Sequence, residues 1–360
     1  MKILSTQEEE SFLRPINVNL RQEHTAIINK LIEYINEHIE KSLELKDLSE
    51  KALVSPYHLH RVFKSITGET IHAYVTRIRL EKAASKLKYY ETIDISEISR
   101  QCGFSSVSIF SRSFRNHFGV SATEYRNTYS INSNLRKFNS KNNQLESKWL
   151  TYNEGGTIEL EPSIKIKRMK PCYIAYIRTN GRVLEKTFEE NRKHLETMGS
   201  IFDWACQHSL WNPSLSSLVS IEYQDPNVSG KKYLRLDCGV TLSKPIESNG
   251  EIGCRLFPEA QYAVLRIFDT TMHAREKIKQ LWEEWLPNSG YYYNSRPVII
   301  LHQNNPSWEP THRYLIDYAI PVSPKQYPGK NHSHYRDEIR KPFPRPDLPR
   351  LTQLFEEEFS

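Results

Sequence analysis

The sequence predicts two fused domains of different class: an all-α N-terminal domain of two helix-turn-helix units, and an α+β C-terminal domain built from a duplicated β-α-β-β unit. Three observations carry this. Apolar residues across 21–130 recur at helical spacing, whereas after residue 158 short apolar runs of strand type alternate with amphipathic helical stretches. A polar, basic stretch, 131–157, separates the two patterns. Each half of the chain also repeats itself, with different repeats.

A length of 360 residues gives each domain enough chain to bury its own core. Hydrophobic residues make up 38% and charged residues 26%, the balance of an ordinary globular chain. No stretch approaches the roughly 18 apolar residues of a membrane helix. The opening MKILSTQEEESFL lacks the basic start and apolar core of a signal peptide, so the expectation is a cytoplasmic protein with no membrane partner. The cysteines, Cys102, Cys172, Cys206, Cys238 and Cys254, show no C-x-x-C pair and read as free thiols rather than a zinc site. The formal net charge is +6. Residues 21–130 carry 16 Lys/Arg against 13 Asp/Glu, and residues 131–180 carry 9 against 4. A nucleic-acid partner fits this excess, but charge alone does not establish one.

Residues 1–20 form an N-terminal extension to the helical domain at 21–130. Ile27, Ile28, Leu31, Ile32, Ile35 and Ile39 then mark one helix face. In the first repeat Leu45–Leu53 forms a helix, Ser55 caps the next, Pro56 suits its first position, and Gly68 follows its end near Ser65. In the second, Asp94 and Glu97 form an acidic capping box, Gly103 stops the helix, and Ser105 or Ser106 caps a helix ending before Gly119. Leu59, Arg61, Phe63, Gly68 and Tyr74 reappear as Phe110, Arg112, Phe114, Gly119 and Tyr125, with one residue inserted in the second turn. Leu59, Val62, Phe63 and Ile66 share one side of the first unit's second helix, as do Phe110, Phe114 and Phe118 in the second unit. The opposite sides carry Tyr57, His60, Arg61 and Lys64, then Ser108, Arg112 and Arg115. Such a face fits a major groove, where Arg grips guanine O6 and N7 together.

The second domain, 158–322, opens each half with a similar strand, Tyr173-Ile-Ala-Tyr-Ile-Arg and Tyr262-Ala-Val-Leu-Arg. A helix follows (184–209 and 272–286), then a strand ending at proline (Pro226, Pro306), then a Tyr-Leu strand from Tyr233 or Tyr314. The two halves are expected to form one sheet. Residues 323–360 make a Pro-rich tail expected to lie extended over the surface.

The run HLHRVFKSITGETIHAYVTRIRLEKAASKL followed by ISEISRQCGFSSVSIFSRSFRNHFGVSATEYR closely resembles the AraC/XylS family of bacterial regulators over roughly residues 25–130. The resemblance implies a long bridging helix, here Ile71–Tyr89, and two recognition helices entering successive major-groove segments on one face of double-stranded DNA. Carried over, Tyr57, His60, Arg61, Ser108, Ile109 and Arg112 read bases, while Lys64, Arg115 and Asn116 hold phosphates. His60, where relatives often carry Gln, and Val107, where they often carry a polar residue, depart from the pattern and leave the operator open. The family also implies an activator that contacts RNA polymerase.

Residues 158–322, ending in Asp317-Tyr-Ala-Ile-Pro-Val322, resemble the GyrI-like (SOUL-related) small-molecule-binding domain. The order of the two domains is similar to the right-origin-binding type of regulator. The resemblance implies a small-molecule effector in a cleft between the halves, with Tyr173, Tyr176, Glu222, Tyr223, Tyr262, Trp282 and Trp285 as candidate walls. Ile300 stands where ligand-binding relatives carry a glutamate, and His302 stands for a usual tyrosine. That substitution argues against the hydrolase activity of some relatives. The sequence holds no Ser/His/Asp arrangement, phosphate loop or metal-spaced His cluster, so no enzyme, cofactor or metal is expected. A structural or protein-interaction role for this domain, or less readily a hydrolase, remains open beside effector sensing.

Overall fold

Two serine hydroxyls decide where the second helix of each N-terminal repeat begins. The computed structural model describes residues 18–90, 93–129, 151–152, 158–159, 164–184, 188–223, 228, 234–248, 250–294, 296–304, 312–325 and 355–357. In it Ser55 Oγ accepts from His58 N, and Ser106 Oγ from Ile109 N, both at 3.2 Å. Both helices end on a glycine in the left-handed region, Gly68 (φ 78°) and Gly119 (φ 77°). The first domain runs α1 (Val18–Glu37), α2 (Leu45–Ala52), α3 (Pro56–Thr67), α4 (Ile71–Tyr89), α5 (Ile95–Gln101), α6 (Val107–Phe118) and α7 (Ala122–Tyr129). The bridging helix α4 has the expected bounds.

The turn between α5 and α6 holds the inserted residue. It also passes so close to its surroundings that a Cβ on Gly103 would lie 2.4 Å from Ile39 O. Gly103 sits at φ 81°, so this turn admits only glycine without rearrangement. The expected acidic capping box is not made as read. Asp94 occupies the N-cap position, but its side chain makes no capping bond. Glu97 is held along its own helix by Arg100 (2.8 and 2.6 Å) and Gln101 (2.7 Å), because long donors one turn on reach it directly.

Helix α4 is shared by two cores. Its first half packs with α1 and the first unit around Ile28, Ile35, Leu48, Leu59 and Phe63. Its second half packs with the second unit around Ala83, Leu87, Ile98, Phe110 and Phe114. Buried ions tie the pieces together. Arg77 bonds both oxygens of Glu69 (3.2 and 2.5 Å) and Glu81 Oε1 (3.1 Å). Arg79 donates to Ile39 O and Lys41 O (3.0 and 2.6 Å) just beyond the end of α1.

The second domain is one antiparallel sheet flanked by helices. Its elements are β3 (Lys165–Met169), β4 (Cys172–Asn180), α8 (Phe188–Gln207), β5 (Leu218–Glu222), β6 (Arg235–Leu242) and β7 (Ile252–Phe257), then β8 (Ala260–Asp269), α9 (Thr271–Gln280), α10 (Leu286–Asn288), β9 (Tyr291–Tyr293), β10 (Val298–His302) and β11 (Tyr314–Pro324). The strand order is β3-β8-β11-β10-β5-β6-β4-β7, with β9 beside β11. The duplication is plain in it: the halves meet at β5 and β10, with matching strands at equal distance on either side. Helix α8 packs on β4 and β6 of one half, and α9 on β8 and β11 of the other. Between α9 and α10 residues Leu281–Trp285 widen into a π-helical turn, so Trp282 and Trp285 do not sit at ordinary α spacing.

Part of the stretch read as linker pairs, in β1 (Thr151–Tyr152) with β2 (Ile158–Glu159). The end of the tail adds β12 (Phe355–Glu357) to the outer edge of β3. Most of the rest of the tail, most of the linker and residues 1–17 of the N-terminal extension lie outside the described residues. No helix among the described residues is long and apolar enough to cross a membrane.

Phe110 is fully buried, so Phe110→Ala should destabilise the first domain by about 3–5 kcal/mol. Urea unfolding followed by circular dichroism measures this. Exposed Arg112→Ala should stay within about 0.5 kcal/mol in the same assay.

Candidate functional site

The outward faces of α3 and α6 carry the same kind of surface. On α3, Tyr57, His60, Arg61 and Lys64 are exposed, Tyr57 at 78%. On α6, Ser108, Ile109, Arg112, Arg115 and Asn116 are exposed, Ile109 at 50%. The opposite faces are core: Leu59, Val62, Phe63, Phe110 and Phe114 are buried, while Ile66 and Phe118 are half-buried. Identical caps at both ends of each helix keep the two faces equivalent.

The seven aromatic and acidic candidates of the second domain do not share one cleft. Strand alternation splits them between the two faces of the sheet. Tyr176 and Tyr262 belong to the face away from α8 and α9, and Tyr223 packs against the same cluster. Glu222 and Trp282 lie on the helix side. Tyr173 packs against α8 with Ile201 and Ala205, and Trp285 stacks on Tyr291. The sequence showed the alternation but not which strands would face which helices.

On the helix side the two central strands lie between the helix-covered halves. Ser220 of β5 meets two imidazoles there, His194 Nε2 and His302 Nε2, each at 2.8 Å from its Oγ. Burial pushes His194 down to about 4, and burial together with His194 pushes His302 down to about 3, so both are neutral at ordinary pH. Ile300 is fully buried in the same core as Trp282 and Tyr318. Glu222 is buried, and its Oε1 accepts from Val183 N at 2.8 Å. It therefore stays on the helix side, holding the loop that carries Val183 and Leu184.

The opposite face forms a polar seam with the first domain, in which the candidates Tyr176 and Tyr223 join Arg178, Arg235, Asp237 and Arg255, charged residues that sequence reading passed over. Tyr176 is flanked in register by Gly239 of β6 and Gly253 of β7. A Cβ on Gly253 would lie 2.3 Å from Tyr176 Cζ, so the missing side chain makes room for the ring. The phenol donates to Glu33 Oε1 of α1. Arg178, on the same strand face, makes a two-point bond with Asp237 (2.7 and 2.8 Å). It also reaches Asn29 Oδ1 at 3.2 Å and Glu33 at 3.5 Å. Tyr223 donates to Asp237 Oδ2 at 2.7 Å and accepts from Arg255 Nη1 at 3.1 Å. Arg235 lies over the Tyr223 ring at 3.5 Å and reaches Tyr74 Oη of α4 at 3.4 Å. Burial opposes ionisation of Asp237, yet Arg178 and Arg235 hold its carboxyl below the usual range. Outside this seam, on the helix side of the sheet, the far end of α4 packs Tyr89 on Trp282 and Tyr293, and Tyr90 on Tyr292. One signal was available in the sequence: Arg178, Arg235 and Asp237 occupy core-phase positions of otherwise apolar strands, where a charge requires a partner.

The free cysteines Cys102, Cys172 and Cys238 are buried, Cys254 is half-buried and Cys206 exposed. Among the described residues no group of His, Cys, Asp or Glu has metal-site geometry.

A helix-turn-helix domain model matches residues 48–128, and a GyrI-like small molecule binding domain model matches residues 162–323. The chain is 36% identical over 103 residues to the regulatory protein SoxS of Salmonella typhimurium, covering 29% of this chain and 95% of SoxS. It is 35% identical over 105 residues to the lactose operon transcription activator of Staphylococcus xylosus, covering 29% of this chain and 37% of that activator. The chain therefore spans little more than a third of the length of that activator. The solved C-terminal domain of EcmrR is similar over 44% of this chain and 96% of its own, at 13% identity and a TM-score of 0.35. Twin helix-turn-helix units around a shared helix, matched along nearly all of SoxS, define a DNA-binding regulator head. The chain belongs to the AraC-type helix-turn-helix family and carries a GyrI-like small-molecule-binding domain behind that head.

Two outcomes follow from this geometry. Gly253→Ala should displace the Tyr176 ring and speed hydrogen exchange in α1 of the full chain, with α6 unaffected. The imidazoles of His194 and His302 titrate lower folded than unfolded, so their stabilising contribution is complete above the ordinary value of 6.5. It is lost as pH falls from there toward about 4 and about 3. Each should add a slope approaching about 1.4 kcal/mol per pH unit. Urea unfolding between those limits should show a shallower pH dependence for His302→Asn than for the natural chain.

Proposed function

We propose that this chain is a sequence-specific DNA-binding transcription regulator whose C-terminal domain senses a small-molecule effector. In this reading residues 21–130 are the reader and 158–322 the sensor, joined by the stretch 131–157. The observation that carries it is the pair of equivalent exposed faces on α3 and α6, with Arg61 and Arg112 at the same place in each. Tyr57, His60, Arg61, Ser108, Ile109 and Arg112 contact base edges, and Lys64, Arg115 and Asn116 contact phosphates. Because one chain holds both readers, a single copy is enough to engage two major-groove segments of one duplex. The regulator acts in the cytoplasm as an activator, through contact with RNA polymerase.

A second reading makes the C-terminal domain an interaction module without an effector. The contacts between the domains favour it, since this domain already holds the head through Arg178 and Tyr176 in the seam and through Trp282 on the helix side. Thermal-shift screening of the full chain against small molecules, coupled to DNA-affinity measurement, separates the two. A stabilising compound that changes DNA affinity supports sensing, and silence across a broad library supports the module.

In vitro site selection with the full chain supplies the operator for the reader test. On that site Arg112→Ala should cost roughly 1–3 kcal/mol and relax one base position. Lys64→Ala should weaken all sequences alike and flatten the salt dependence. Equal loss on selected and random DNA for Arg112→Ala would remove it from the readers.

A further inference from the structure

The seam between head and sheet contains a carboxylate-binding arrangement that the protein itself occupies. The Glu33 carboxylate accepts from the Tyr176 phenol and lies 3.5 Å from the Arg178 guanidinium. Glu37, one turn on, lies 3.9 Å from Arg255. Arg255 keeps a buried Nε with no acceptor, although its Nη1 is used by Tyr223. On the sheet side Arg178 bonds Asp237 directly, and Arg255 reaches the same carboxylate only through Tyr223. Glu33 and Glu37 of the head bring two further carboxylates to these guanidiniums.

We propose that the Tyr176–Arg178–Arg255 surface is a binding site for a small polycarboxylate anion, which takes the place of Glu33 and Glu37 and releases α1 from the sheet. The carboxylate already present shows which chemistry the surface accepts: a phenol hydroxyl and a guanidinium converging on one carboxylate, with a second guanidinium one helical turn away. A tethered side chain competes at an effective concentration of mM order. A monocarboxylate reproducing only the Glu33 contact therefore gains little, whereas a di- or tricarboxylate spanning Arg178 and Arg255 replaces both. Room for the Tyr176 ring comes from Gly253, on a sheet that stays in place when the head leaves. This site lies on the face opposite Glu222, Ile300 and His302, so of the candidate walls it uses Tyr176 and none of those on the helix side. It deepens the reading of this domain as a sensor, and it concerns binding and undocking rather than transcription.

The test is calorimetric titration of the full chain with citrate, using chloride at matched ionic strength as control, together with hydrogen exchange of α1. Citrate should bind the natural chain and speed exchange in α1. Glu33→Gln removes the internal competitor and should tighten citrate binding by about tenfold. Arg255→Gln should weaken it by a similar factor while exposed α6 exchanges as before. Equal citrate affinity for the natural chain and Glu33→Gln, or the same opening of α1 with chloride, overturns the proposal. So does an absence of citrate binding in Glu33→Gln, whatever the folding of Arg255→Gln. Because the readout is α1 and not DNA, citrate-driven opening with unchanged DNA affinity would uphold this site while the effector-sensing reading failed.

Discussion

A guanidinium taken out of water between two domains has to be met by carboxylates, and Arg178 is met from both sides. Asp237 supplies two short bonds from its own sheet, and Glu33 approaches from the head. Removing one member of such a buried pair costs about 3–5 kcal/mol, because the other charge is left uncompensated. The geometry around it follows from this need. Tyr223 satisfies the second oxygen of Asp237, Arg235 lies on the Tyr223 ring, and Tyr176 lies in the space left by glycines to reach the same glutamate. The seam thus joins a head built from local helical contacts to a sheet built from distant pairings.

The two faces of that sheet have opposite characters. The helix side is mostly apolar, with Ser220 between two unprotonated imidazoles and Glu222 fastened to a backbone amide. The other side concentrates ions at its contact with α1. Tyr223 and Glu222 are adjacent in sequence yet belong to opposite sides, since side chains alternate along a strand. A shift at the end of β5 is therefore felt on both faces.

The head was legible in the sequence because its information is local. Ser55 and Pro56 start α3, Ser106 starts α6, Gly68 and Gly119 end them, and Phe63 and Phe114 mark the inward face. A repeat with one inserted residue even located the wider second turn. Asp94 and Glu97 misled because a capping box competes with neighbouring donors, and Arg100 and Gln101 already hold Glu97. The ligand candidates misled for a different reason. Aromatic residues mark strands well but do not state a face, so Tyr176 and Trp282 were assigned one cleft and stand on opposite sides.

Two domains, their class, their order and the exposed arginines of the first could be read along the chain, because helical period and caps act over a few residues and the repeats lie in the sequence itself. Only the tertiary structure decided that Glu33 meets Tyr176 and Arg178, that Tyr89 packs on Trp282, and that Glu222 turns away from the ionic face. The Glu33 and Tyr89 contacts join residues more than a hundred positions apart, and the Glu222 contact residues 39 apart. Their partners are set by how one folded surface fits another, a fit that no local pattern along the chain encodes.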